Sequence, residues 1–188
     1  LHSDGSGQDV TPAPFNVRNS VHEYGGAPAL IVDGIVYFTN FDDQRIYCHM
    51  PGETPRALTP NLPLRFADGN ADSFRERGIF VMEDHRDTES EAENSIVAVE
   101  FTGGYPEKIA HGADFYSNPR VSPDGKKLTW LSWNHPQMPW DGCELWVGEF
   151  DHNGSLTHKT LVAGGIKESI FQPEWSPDNI LYFVSDRT

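Results

Sequence analysis

A chain of 188 residues with 37% hydrophobic and 22% charged residues sits among soluble globular sequences and is long enough for one sizeable core. A net charge of −14, from 28 Asp and Glu against 14 Lys and Arg, supplies no cationic footprint for a nucleic-acid partner. No apolar run approaches the roughly 18 residues of a membrane span, and two cysteines, Cys48 and Cys143, are too few for a disulfide-stapled fold and suit a reducing cytoplasm.

In chain order, the β-branched and aromatic runs are IVYFT from Ile35, IFVM from Ile79, LTWLSW from Leu128 and ILYFV from Ile180. Each is bounded by Gly, Pro, Asp or Asn, which predicts strands, and no window holds a sustained helical period. Their aromatic centres, Phe38, Phe80, Trp130 and Phe183, recur at intervals of 42, 50 and 53 residues. Repeats of about 40 to 50 residues with four strands each mark propeller blades. The predicted fold is all-β: a partial β-propeller of four-stranded antiparallel blades, of the kind also seen in WD-repeat rings, with roughly four blades' worth of an incomplete ring.

Residues 1–12 read as the tail of one blade. Residues 27–60 form a blade with turns at Asp33-Gly34 and Pro51-Gly52, and residues 69–112 another, with turns near Arg77-Gly78 and Gly103-Gly104. The most complete copy, 118–165, runs NPRVS, KLTWLSW, CELWVGEF and a last strand near LTHKTLV, with turns at Pro123-Asp124-Gly125 and Asp151-His152-Asn153-Gly154; 171–188 is half a blade. The chain opens at Leu1 and stops after a strand-like run, so it reads as a fragment, and a missing signal peptide says little about compartment.

The phrase PRVSPDGKKLTWLS from Pro119 returns as PEWSPDNILYFVS from Pro173, placing Ser122 and Ser176 in hairpins, not at a nucleophile elbow. No G-x-S-x-G occurs, so no catalytic residue is expected in this chain. Asn153-Gly154-Ser155 matches a glycosylation acceptor but is accounted for by a hairpin tip.

Up-and-down blades gather the tight turns on one face and the long connections on the other. The second face receives NSVHEYGG, NFDDQ, EDHRDTESEAEN, HGADFYSNP, WNHPQMPWDG and GGIKESIFQP. Long loops on a rigid scaffold are where binding residues gather. The candidates for substrate contact are His22, Glu23, Tyr24, Asp84, His85, Arg86, His135, Trp140 and Asp141. Each also has a structural reading: the histidines as partners of loop backbone, Gly25 and Gly26 as room for a tight turn, Trp140 as a cap on a blade seam, and the acidic run from Glu89 as a solvated tip. Neither metal-ligand spacing nor a paired-cysteine site is present, so no metal or other cofactor is expected.

The segments FNVRNSVHEYGG from Phe15, VYFTNFDDQRIY from Val36, SPDGKKLTWLSWNHPQMPWDGCELWV from Ser122 and FQPEWSPDNILYFVSDRT from Phe171 together resemble the propeller of prolyl oligopeptidase family serine peptidases, in particular acylaminoacyl- and dipeptidyl-peptidase-like members. SPDG alone is shared with TolB-like propellers, whereas HEYGG and MPWDG in this order are specific. The resemblance implies a C-terminal α/β-hydrolase domain in the parent protein, absent from these residues, and a propeller face that restricts entry to short peptides and supplies carboxylates for a free amino group. Glu23 and Asp141 are the candidates for that contact, with His22, Tyr24, Arg86 and Trp140 shaping the mouth. Departures from the pattern stand at Ala27, Asn134 and Asn179. The rival reading is a TolB-type propeller that binds proteins as a scaffold, with no enzyme attached.

Overall fold

In the computed structural model, which describes Gly5, Gly7 and residues 9–187, regular structure consists of strands in four antiparallel sheets. Blade 1 holds β1 (Ala29–Val32), β2 (Ile35–Thr39), β3 (Ile46–His49) and β4 (Arg56–Ala57), and blade 2 holds β5 (Leu64–Asp72), β6 (Arg77–Asp84), β7 (Glu93–Glu100) and β8 (Glu107–His111). Blade 3 holds β9 (Phe115–Val121), β10 (Lys127–Trp133), β11 (Glu144–Phe150) and β12 (Leu156–Gly164), and a hairpin of β13 (Ile170–Trp175) and β14 (Leu181–Ser185) forms a half-blade. Sequential neighbours pair throughout, as in up-and-down blades. Part of the expected blade tail at 1–12 lies outside the described residues.

Three apolar layers between successive sheets make the core. Tyr37, Ile46, Phe66, Phe80 and Val97 fill the first layer, and Ile79, Val81, Ile96, Leu128 and Trp130 fill the second. Leu131, Trp133, Leu145 and Ile170 fill the third, against Leu181 and Phe183. Because blade 2 is covered on both faces, β6 reads as a nearly continuous apolar run with all eight positions buried. The first strands lie side by side, β1 against β5, β5 against β9, and β9 against β13, so they line the axis.

The tight turns meet on one face. The hairpin of blade 2 turns over Ser73–Glu76, with Glu76 at φ 51°, and Arg77 and Gly78 already belong to β6. Gly78 is small for a packing reason: it and Gly69 press on opposite sides of the Phe80 ring and leave no room for a Cβ. Gly125 of SPDG has φ 68° and Asn179 of Ser-Pro-Asp-Asn has φ 60°, so asparagine holds the same left-handed turn position. Ser122 Oγ donates to Asp124 Oδ1 at 2.7 Å and accepts from Lys127 N at 2.9 Å, which binds its hydroxyl into the hairpin. Both cysteines are free thiols, Cys48 in β3 and Cys143 just before β11.

Candidate functional site

The first strands of blades 2 and 3 and of the half-blade share an irregularity. Register shifts fall between Ala67 and Asn70, opposite Thr129 and Leu131, and between Phe171 and Glu174. At these bulges Asp68, Asn118 and Gln172 take φ values of 56°, 51° and 49°, each just before a Gly or Pro. An extra residue re-aims the side chains of the bulged strand. Here it turns Asp68 and Asn118 into a cavity of about 430 Å³ on the long-loop side of the axis.

One wall of that cavity is the HEYGG segment. Asn19 folds it, with Oδ1 accepting from Gly26 N at 2.9 Å and Nδ2 donating to Gly26 O at 3.1 Å. Gly25 sits at φ 83° where a Cβ would strike the Asn19 carbonyl oxygen, so this position requires glycine. His22 and Tyr24 then face the cavity, opposite Trp133, Pro139 and Trp140, while Ser169, Ile170 and Phe171 close the half-blade side. Asp68 ties the floor together: Oδ1 accepts from Ala27 N at 2.8 Å and Oδ2 from Asn118 N at 3.3 Å, joining all three complete blades.

In the cavity wall, His22 is packed edge-on against Phe115 and Trp133, both with ring centroids 5.5 Å away. Its Nε2 is buried without a hydrogen-bond partner, as is Asn94 Oδ1. Burial holds the imidazole below its ordinary pKa, against the opposing pull of Glu83, Asp68 and Asn94. Glu83, itself buried, accepts from His22 N at 2.7 Å through Oε1, while Oε2 lies 3.1 Å from His85 Nε2 and 3.6 Å from Arg65.

Of the nine residues singled out from the sequence, His22, Tyr24 and Trp140 line the cavity. Glu23, between the lining residues His22 and Tyr24 in sequence, does not itself line the cavity; its side chain is 83% exposed and receives Arg65 Nη1 at 2.7 Å, a contact that holds its carboxyl below the usual range. Asp84 and Arg86 form a bidentate pair, 2.6 and 2.9 Å, beside a separate depression at the acidic loop, and Arg86 holds the Asp84 carboxyl low. His85 is turned to Glu83. His135 stacks edge-on against Phe115 at 5.0 Å, and Asp141 accepts from Met138 N at 3.1 Å, which shapes the MPWDG turn from within. Sequence reading missed Asp68, Asn118, Trp133, Glu83 and Arg65. For the first two a signal existed, a polar residue before Gly or Pro in the first strand of successive repeats. Among the described residues no group of His, Cys, Asp and Glu is placed to hold a metal ion.

No protein-family model and no curated protein sequence matches this chain. Solved structures do. A puromycin hydrolase variant complexed with PGG matches at 33% identity and a TM-score of 0.88 over 98% of this chain and 31% of its own length. A puromycin-hydrolyzing peptidase from Mycobacterium tuberculosis matches at 35% identity and a TM-score of 0.86 over 95% of this chain and 30% of its own. The chain therefore spans under a third of these proteins. A putative TolB from Agrobacterium tumefaciens, at 22% identity and a TM-score of 0.56 over 81% of this chain and 50% of its own, shares the propeller fold.

Proposed function

Since the chain belongs, by that match, with the N-terminal propeller portion of prolyl oligopeptidase family peptidases, we propose that it serves as the non-catalytic propeller of such a peptidase. In this role it admits and orients short peptides for an α/β-hydrolase domain of the same protein. The observation that supports this most is the cavity itself. It opens on the face of long loops and is built on first strands of the blades, with aromatic walls around one carboxylate among the described residues. Peptide binding needs both features, apolar surface for side chains and fixed polar groups for orientation.

Glu23 is the acid assigned in this reading to a peptide's amino terminus, because its carboxylate is exposed and its one side-chain partner among the described residues is Arg65. Asp141 acts more indirectly, through the turn that presents Trp140. In the full-length protein, Glu23→Gln is expected to raise KM for substrates with a free amino terminus several-fold while leaving kcat and amino-blocked substrates near wild type, the pattern of lost ground-state binding. Equal effects on free and blocked substrates would refute a gating role for Glu23. A full-length protein without peptidase activity would favour the scaffold reading instead.

A further inference from the structure

The charge around the cavity is one-sided. Among the described residues no lysine or arginine lines it, and the neighbouring Arg65 is committed to Glu23 and Glu83. The carboxylate of Asp68 is present and cannot swing away: both of its oxygens are held by backbone N–H groups of flanking blades, and its own backbone is fixed in a left-handed bulge. Around it stand the rings of His22, Tyr24, Trp133, Trp140 and Phe171. A volume of about 430 Å³ lies at the small end of ligand sites and fits one side chain with its peptide unit, not a folded partner.

We propose that this cavity is a side-chain specificity pocket, which takes a bulky aromatic or aliphatic residue, accepts a cationic one, and rejects residues that carry a carboxylate. The inference rests on the reading that peptides meet this face, and it names the property of the peptide that is read. Aromatic walls reward stacked rings and the face-on approach of a cation. An acidic side chain would be stripped of water beside Asp68 with no basic group to compensate it, which is exclusion by repulsion as much as by poor fit. Tyr24 and Trp140, 65% and 64% exposed, form the outer part of the wall, whereas Trp133, 5% exposed, forms its buried part.

The test uses the 188-residue chain and N-acetyl amino acid amides, so that no free terminus contributes. Binding is followed by NMR through the indole N–H signals of Trp133 and Trp140. The phenylalanine amide is expected to saturate both signals, and the glutamate amide to bind on the order of tenfold or more weaker than its isostere, the glutamine amide. Asp68→Asn should bring the glutamate and glutamine amides together. Trp140→Ala, at an exposed loop position where folding is not at stake, should weaken the phenylalanine amide several-fold. Equal affinity for the glutamate and glutamine amides overturns the selectivity and leaves the filtering role standing, since Glu23→Gln kinetics test that separately. An absence of saturable shifts at Trp133 and Trp140 with the phenylalanine amide overturns the pocket.

Discussion

His22 is a histidine used against its usual chemistry. Its ring is packed among Tyr24, Phe115 and Trp133 and its Nε2 is sealed from water, so the neutral form is favoured and the pKa lies below the ordinary 6.5. The sign of the linkage follows. Above pH 6.5 the ring is neutral folded and unfolded, and its contribution to stability is whole; as the pH falls through 6.5 the unfolded chain takes up a proton that the folded chain resists, and stability drops until the lower folded value is reached. An NMR titration should therefore place the His22 midpoint below 6.5, and Glu83→Gln should move it lower still by removing the strongest influence that opposes burial. A midpoint above 6.5 would mean that Glu83 and Asp68 outweigh desolvation. Residue chemistry was only partly legible in the sequence. Loop position put His22, Tyr24 and Trp140 among the candidates, and the structure sets them along the cavity, but the arginine partners of Glu23 and Asp84 formed no part of that reading. Glu23 is met by Arg65, whose position 42 residues away is set by blade packing and not by any local pattern; the Asp84–Arg86 pair lies two residues apart and was open to view.

The strands and turns were more readable, because alternation and turn chemistry act locally. SPDG predicted a hairpin, and the structure gives the same turn for Ser-Pro-Asp-Asn because asparagine accepts a positive φ. Bulges at Asp68, Asn118 and Gln172 were not foreseen, since alternation along a strand does not mark where its register with a neighbour slips, and β1 in the first blade pairs without one. The opposite face is stapled by a charge cluster that is equally non-local. Asp72, with its side chain wholly inaccessible, receives Arg77 Nε at 3.0 Å and Arg75 Nη1 at 3.1 Å. The two arginines pass on to the carbonyls of Gly154 and Gly125 in blade 3, at 2.8 and 3.0 Å, and lie over the Phe150 ring. Asp72→Ala leaves Arg77 buried without a counter-charge and is expected to cost about 3–5 kcal/mol in urea denaturation. Arg75→Ala removes a partly exposed partner and should cost about 1 kcal/mol or less. If Asp72→Ala falls within about 0.5 kcal/mol of wild type, the clamp is ornamental and blade contact is carried by the apolar layer alone.

At the scale of the molecule, stability should not be uniform along the arc. Blade 2 is sandwiched between two sheets, and every residue of β6 is buried. The half-blade is covered on one side only, where Ile170, Leu181 and Phe183 join the third apolar layer; on the other side Phe171, Tyr182 and Val184 are 57–60% exposed. A two-stranded hairpin is at best marginal by itself, and the outer edge of β14 has no paired strand among the described residues. The 42- to 53-residue repeat made the arc of blades legible from the sequence, since each unit must bury the same faces against its neighbours, but a repeat says nothing about which unit is the weak one. Native-state hydrogen exchange on the 188-residue chain decides this. Amides of Leu181–Ser185 should exchange through local opening, with protection at least about tenfold below that of Arg77–Asp84, whose exchange should require global unfolding. Adding urea should then leave the β14 amides nearly unaffected at low concentration while those of β6 accelerate in step with the overall transition, because the two openings expose different amounts of surface. Equal protection and equal urea dependence would show instead that the third apolar layer couples the hairpin to the blades as one cooperative unit, and the cavity wall formed by Ser169, Ile170 and Phe171 would then be as rigid as the Asp68 floor it faces.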